Sequence, residues 1–304
     1  MLITGNGLLA SALVRTTPYQ SLTCTFFTHR IRPVGAEMIR MDVTDQGSVG
    51  HVFEAVRPEI VIHTASIGSV DYAEQNREVC YKTNVEGTQN VVSACKQYGA
   101  WLIFISSNAV FDGERAPYSE EDNPEPINYY GKLKIEAERR VTESSLSWMI
   151  IRPILMYGWH SPHHRINPVT WILEALGENK PVKVVDDIFC NPLWADSGAE
   201  AIWAAVDKQV QGILHVAGQN RLSRFDFALE TAEVFGLDVA LIESVKSSYF
   251  NEIASRPVDT SYIIEKAEQI LGIRALSTRE GLERMQTQET QKAVWWSDNP
   301  EVKR

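Results

Sequence analysis

Two rhythms alternate through the first half of the chain. Short apolar runs recur at residues 1–4, 22–28, 38–41, 59–66, 102–105 and 148–152. Runs this short and this apolar predict strands covered on both faces. Between them, apolar residues return at helical spacing. Leu8, Leu9, Ala12 and Leu13 form one stripe. Asp45 or Thr44 caps a second helix reaching Val56, residues 77–98 give a long third helix, and a fourth opens at Tyr130. Alternation of this kind predicts the α/β class, with a doubly wound parallel sheet. Beyond Pro153 the rhythm changes. A loop spans 157–165, followed by a helix at 168–176 and a strand at 181–185. A helix at 196–207 and a strand at 212–217 come next, then a helix capped by Ser223 and running to Phe235. Helices near 262–271 and 277–286 close the pattern, and the polar tail carries an exposed Trp295-Trp296 pair. No internal repeat or low-complexity segment is visible.

The turn after the first strand reads Gly5-Asn6-Gly7-Leu8-Leu9-Ala10. Strand, glycine turn and helix together suit a dinucleotide, whose pyrophosphate sits on the helix N-terminus; a bare tight turn is the plain alternative. The sheet is then of Rossmann type. Gly5, Gly7, Leu8 and Leu9 line the expected cradle. After the second strand come Thr28, His29, Arg30 and Arg32, with no carboxylate for a ribose 2′-hydroxyl. His29 and Arg30 suit a 2′-phosphate, hence NADP, with NAD as the alternative. Asp42 is placed to bond an adenine amino group and Val43 to pack on the ring. The small side chains of Thr64, Ala65 and Ser66 leave room at a strand's carboxyl end, and Pro153 borders the same edge. This assigns 1–152 plus about 183–217 to an NAD(P)-binding domain, and 153–182 plus 218–304 to a smaller, mostly C-terminal α/β substrate lobe.

Candidate chemistry concentrates in residues 101–138. The strand ends in Ser106 and Ser107, and Tyr130 and Lys134 follow at i and i+4, on one helix face. A strand-end serine, a tyrosine and a lysine can form a proton-transfer site; an accidental helix pair is the alternative. Asn84 reads as a mid-helix polar anchor at the cofactor, or as a solvent-facing asparagine. His63 reads as a core or interface histidine. His160, His163 and His164 lack a nearby carboxylate or cysteine at ligand spacing, so they read as a polar lid and no metal site is expected.

Net charge −10 argues against nucleic acid and anionic membranes as partners. Cys24, Cys80, Cys95 and Cys190 are scattered and read as free thiols of a reducing, cytoplasmic compartment. No 18-residue apolar run and no signal-peptide pattern is present.

Taken together, the motifs resemble the extended short-chain dehydrogenase/reductase family, in its dTDP-4-dehydrorhamnose reductase branch. The resemblance rests on the glycine turn, DVTD at 42–45, PEIVIHTAS at 58–66 and TNVEGTQNV at 83–91. It continues through ISSNAVFDG at 105–113, the YYGKLK run at 129–134, RPILMYG at 152–158 and RPVDTSYIIEKAEQILGI at 256–273. It implies an NADP-dependent reductase of a 4-keto sugar nucleotide, with Ser107, Tyr130 and Lys134 catalytic. Lys134 also binds the nicotinamide ribose, and its charge lowers the tyrosine's pKa. Substrate is expected near Ser66, Ser107, Asn108, Tyr130 and Asn191, and the resemblance is compatible with a homodimer. The chain departs from the branch in Asn108-Ala109 for Asp-Tyr and in Leu155 for tryptophan, both on the substrate wall. No acid follows Ser107, which disfavours a dehydratase. Two other outcomes stay open: a non-catalytic NADP-binding subunit resembling the methionine adenosyltransferase β subunit, and a sugar-nucleotide epimerase.

Overall fold

A computed structural model describes residues 1–29, 35–161, 163–251, 253–291 and 295. Arg30, Arg32 and Trp296 lie outside them. The N-terminal half runs β1 (Leu2–Thr4), α1 (Leu8–Thr16), β2 (Thr23–Phe26), β3 (Glu37–Arg40), α2 (Gln46–Val56) and β4 (Ile60–His63). It continues with α3 (Val70–Gln75), α4 (Arg77–Tyr81), α5 (Gly87–Tyr98), β5 (Trp101–Ile105), α6 (Tyr129–Thr142) and β6 (Trp148–Pro153). The C-terminal half adds β7 (Met156–Tyr157), α7 (Pro168–Gly177), β8 (Val182–Val185), β9 (Phe189–Cys190), β10 (Leu193–Trp194) and α8 (Ala195–Asp207). Then follow β11 (Gly212–Val216), β12 (Leu222–Ser223), α9 (Arg224–Phe235), β13 (Ile242–Val245), α10 (Glu265–Leu271) and α11 (Thr278–Thr287).

Seven strands form one sheet in the order β11-β6-β5-β4-β1-β2-β3, every pair parallel. The apolar runs explain themselves through the two-residue period of a strand. Ile3, Ile62, Ile103, Met149 and Ile151 face one core with α1 and α8. Their neighbours Leu2, Val61, Leu102, Phe104 and Ile150 face a second core with α2, α5 and α6. Both faces of the central strands are covered, so both parities are mostly apolar and the polar side chains among them, such as His63, are buried with partners. The chain reverses sheet direction between β1 and β4, which opens a crevice at their carboxyl ends.

Three expectations change. The strand at 182–185 pairs with β13 rather than with the large sheet; α8 and β11 alone make the return. Helix α10 starts at Glu265 because Tyr262 is already committed to a bridge with Tyr118. The long helix is interrupted by a π-helical turn, Lys82–Glu86, between α4 and α5. That turn aims Asn84 at the β4 exit loop: Ile67 N–H donates to its Oδ1 at 2.8 Å, and its Nδ2 donates to Ile67 O at 3.0 Å.

His63 and His215 are buried in the sheet. His63 spans Thr4 and Thr88 through its two ring nitrogens. Burial lowers each imidazole to about 3. The unfolded chain therefore takes up protons below about pH 6.5 that the fold refuses, so stability falls as pH drops through that range. At pH 5 each histidine is expected to cost about 2 kcal/mol. Urea unfolding at pH 7 and pH 5 checks this: in His63→Gln the acid-induced loss shrinks by about 2 kcal/mol relative to the native chain. An unchanged loss would remove His63 as a cause.

Candidate active site

The crevice at the β1–β4 switch is built from backbone. Gly5 has φ +87, and a side chain there would sit 3.1 Å from Ala65 backbone and Thr64 Oγ1. Only glycine lets the β1 exit lie this close to the β4 exit. Gly7 is the N-cap of α1 and offers no side-chain cap, so the first N–H groups of the helix stay available. Apart from its chain neighbours and its own helix, no described protein atom lies within 4 Å of where a Gly7 side chain would begin. A cradle of open backbone facing uncapped amides fits a pyrophosphate. Leu8 borders it, whereas Leu9 is turned into the core. Thr64 hydroxyl donates to Thr4 O at 2.6 Å, fixing the wall that continues into Ala65 and Ser66. Ser66 Oγ is buried and makes no hydrogen bond of normal geometry among the described residues.

Other expected cofactor residues divide. His29 stays at the rim: Asn6 Nδ2 donates to its carbonyl at 2.6 Å, and its ring stacks on His163 at 5.1 Å. Asp42 accepts from Thr44 N–H and hydroxyl at 2.9 and 2.8 Å, shaping the turn before α2, whose N-cap is Asp45. Val43 packs over Gly87. Asn84 acts on protein, holding the Ile67 peptide beside Ser66. Pro153 is buried at the carboxyl end of β6. Among the described residues no three metal-binding side chains converge; His160 is tied to Ser161 O and Thr170 Oγ1.

Ser107, Tyr130 and Lys134 come together at the end of β5. The Asn128 side chain caps α6, accepting from Gly131 N–H at 2.9 Å, and Asn128 Nδ2 donates to Ser255 O at 3.0 Å. One residue thus starts the helix and pins it to the C-terminal lobe. Ser107 Oγ accepts from Ala109 N–H at 3.1 Å, and Asn108 Nδ2 donates to Thr260 Oγ1 at 2.7 Å. Burial pushes the Tyr130 phenol up to about 12, against the pull of the Ser107 hydroxyl, then the Ser66 hydroxyl, then the Arg165 charge. Lys134 differs from expectation. Its Nζ donates to Ile105 O at 2.9 Å, and burial lowers it to about 8, opposed by Glu138. The serine hydroxyls and Arg165 draw the phenol down, and Lys134 Nζ stands 5.8 Å from the centre of the Tyr130 ring. A phenol this high stays protonated at neutrality, the form that can donate to a carbonyl oxygen.

Asn191 is engaged by protein. It is buried, and its Oδ1 accepts from Tyr262 N–H at 2.8 Å, joining two segments of the lobe. Trp295 is not an exposed tail residue: it packs on the third core cluster, with the Arg15 guanidinium 4.3 Å over its ring. Residues unforeseen from sequence include Arg165, whose Nη1 donates to Gly68 O at 3.4 Å beside the phenol. Glu138 and Arg152 form a buried ion pair behind Lys134 at 2.7 Å. A charged residue ending the apolar run at 148–152 was the available signal. A cavity of about 330 Å³ bordered by Glu200, His215, Glu268 and Arg284 lies apart from Tyr130.

Known proteins resemble this chain in sequence and in fold. The probable low-salt glycan biosynthesis reductase Agl14 of Haloferax volcanii is 29% identical over 274 residues, 89% of this chain and 91% of that protein. Methionine adenosyltransferase 2 subunit beta of Bos taurus is 28% identical over 275 residues, 85% of this chain and 76% of that protein. The crystal structure of dTDP-4-dehydrorhamnose reductase from Bacillus anthracis in complex with NADP superposes with a TM-score of 0.82 at 27% identity, covering 94% of this chain and 98% of that one. The family model described as RmlD substrate binding domain matches residues 1–291, from the glycine turn to the segment after α11, and this chain belongs to that family.

Proposed function

We propose that this chain is an NADP-dependent reductase of a 4-keto sugar nucleotide, with Tyr130 as proton donor. The observation that carries the reading is the meeting of Ser107 and protonated Tyr130 at the sheet's carboxyl edge, beside the open glycine cradle. NADPH, when bound, supplies the hydride for the carbonyl carbon. Ser107 hydrogen-bonds the carbonyl oxygen and polarises it. Tyr130 gives its hydroxyl proton to that oxygen, so an alcohol forms and a tyrosinate remains. The Ser107 and Ser66 hydroxyls and Arg165 stabilise that tyrosinate; all three already pull the phenol down. Gly5, Gly7 and Leu8 would hold the pyrophosphate, with His29 toward the 2′-phosphate, and Lys134 the nicotinamide ribose. Ser66 and Asn108 would border the sugar. In this reading residues 1–152 with 195–217 hold the cofactor, and 153–194 with 218–291 form most of the substrate lobe.

Support comes from the NADP complex of the Bacillus anthracis reductase and from the reductase name of the Haloferax relative. Free buried cysteines fit a cytoplasmic setting, and no helix among the described residues is long and apolar enough to cross a membrane. A second reading, a regulatory NADP-binding subunit, draws on the likeness to methionine adenosyltransferase 2 subunit beta. The test is NADPH consumption against a panel of nucleotide-linked 4-keto sugars. At least one is expected to be reduced, with NADPH preferred over NADH. NADP binding with no turnover on any member, together with capture of a partner enzyme, would replace the first reading by the second.

A further inference from the structure

A buried charge chain lies behind Lys134. Glu138 is one helical turn further along α6 and 6% exposed. Its carboxylate accepts from Arg152 Nε at 2.9 Å, from Arg152 Nη2 at 2.7 Å, and from the Ser106 hydroxyl. Arg152 is 3% exposed, and its Nη1 lies 3.5 Å from His215 Nε2. Helix α6 therefore reads the end of β5 over successive turns. Tyr130 faces Ser107, Lys134 is bonded to Ile105 O, and Glu138 is bonded to Ser106. A slip of α6 along β5 would break the last two contacts and misplace the first. Burying an ion pair gains little stability, and well-packed apolar residues often do better in its place. In a strand as apolar as β6, such a pair points to a use other than stability.

We propose that Glu138 is a positioning residue for Lys134: it locks the α6–β5 register through Ser106, and its charge keeps Lys134 an ammonium ion. Arg152 sets how much of that charge Lys134 feels. This rests on the reading of Lys134 as part of the active site. The groups around Lys134 are Tyr130 and Glu138 on α6, His63 on β4 and Arg152 on β6, with His215 on β11 and Glu120 behind Arg152. His63 and His215 are held neutral by burial and Tyr130 is protonated. Glu138, with Arg152 bonded to it and Glu120 behind Arg152, is thus the charge that decides the lysine's state.

The two partners then have opposite effects. Glu138→Gln keeps the shape but leaves Arg152 as a bare cation, so Lys134 loses its proton more easily. Arg152→Gln leaves the carboxylate to Lys134, which holds its proton more firmly. A purely structural pair would weaken the fold in both variants without opposite signs. The experiment follows the side-chain NMR titration of Lys134 in the full chain, assigned by its absence in Lys134→Arg, beside the pH profile of NADPH-dependent turnover. The lysine midpoint is expected to fall by about one pH unit in Glu138→Gln and to rise by about one in Arg152→Gln. The alkaline limb of turnover moves the same way in each. Glu138→Asp, which keeps the charge, restores most of the midpoint. If Glu138→Gln does not fold, the double variant E138Q/R152Q is compared with Arg152→Gln, and Lys134 must titrate lower in the double variant. A midpoint that stays put, or moves the same way in both single variants, overturns the proposal. Opposite shifts in a chain that reduces no keto sugar support the positioning role and remove only the substrate reading.

Discussion

Replacing Tyr130 by phenylalanine is expected to lower kcat by about 10²–10⁴-fold, the range a single positioned proton donor contributes. NADP affinity is expected to stay within about twofold, because the proposed cofactor cradle is made of the glycine turn and the β4 exit. The ring itself should stay where it is. Tyr130 packs with Ala73, Ala109 and Leu133 in a small apolar cluster, and a phenyl ring fills the same space. What the variant removes is the hydroxyl among Ser107, Ser66 and the Arg165 charge, the groups that pull on it. Because burial pushes this phenol up to about 12, it keeps its proton across the neutral range. Loss of turnover in Tyr130→Phe should therefore be uniform from about pH 6 to pH 8. Steady-state kinetics with NADP binding measured by calorimetry checks both halves. Turnover within about threefold of native would mean that the proton comes from elsewhere.

Gly131→Ala is expected to cost about 2–4 kcal/mol of stability and about 10²-fold in turnover. Gly131 follows Tyr130 in the first turn of α6. A side chain built there would stand 2.1 Å from Ala109 O and 2.7 Å from Pro126 Cβ. Real atoms do not approach so closely, so the helix start would have to lift from the turn that Ser107 opens. The opposing effect is helix propensity, which favours alanine over glycine by about 1 kcal/mol. Overpacking of this severity exceeds that gain. The Asn128 cap survives, since the residue at 131 keeps its N–H. A lifted first turn moves Tyr130 relative to Ser107 and tilts Lys134 off Ile105 O. Urea unfolding and kcat measured on the same sample separate the two forces: a gain of about 1 kcal/mol with full activity would mean that propensity governs and the contact yields.

The parts legible in the sequence are those fixed by local rules. Apolar runs with no polar parity became central strands because both faces of the sheet are covered. The glycine turn and the Tyr130–Lys134 spacing are short-range, and the structure seats them at the expected places in the sheet. What escaped depends on distant partners. Asn84 looked like a cofactor anchor, yet the π turn aims it at Ile67; an extra residue in a helix leaves no compositional trace. Asn191 was expected at the substrate from the resemblance, and its Oδ1 is engaged by Tyr262 N–H from 71 residues away. The strand at 182–185 paired with β13 because half of its residues are only partly buried, which suits a small sheet under helices α7 and α9. Lys134 was expected beside Tyr130 from the helical spacing, but its burial and its bond to Ile105 O depend on a strand 29 residues earlier in the chain.

The most direct test uses NADPH deuterated at the transferring position of the nicotinamide, supplied with a nucleotide-linked 4-keto sugar. Reduction through the Ser107–Tyr130 site predicts one deuterium on the sugar C4 of the product and one NADP formed for each alcohol. NADPH left intact while NADP and the nucleotide sugar both bind, or a product altered at C4 without deuterium, would contradict it.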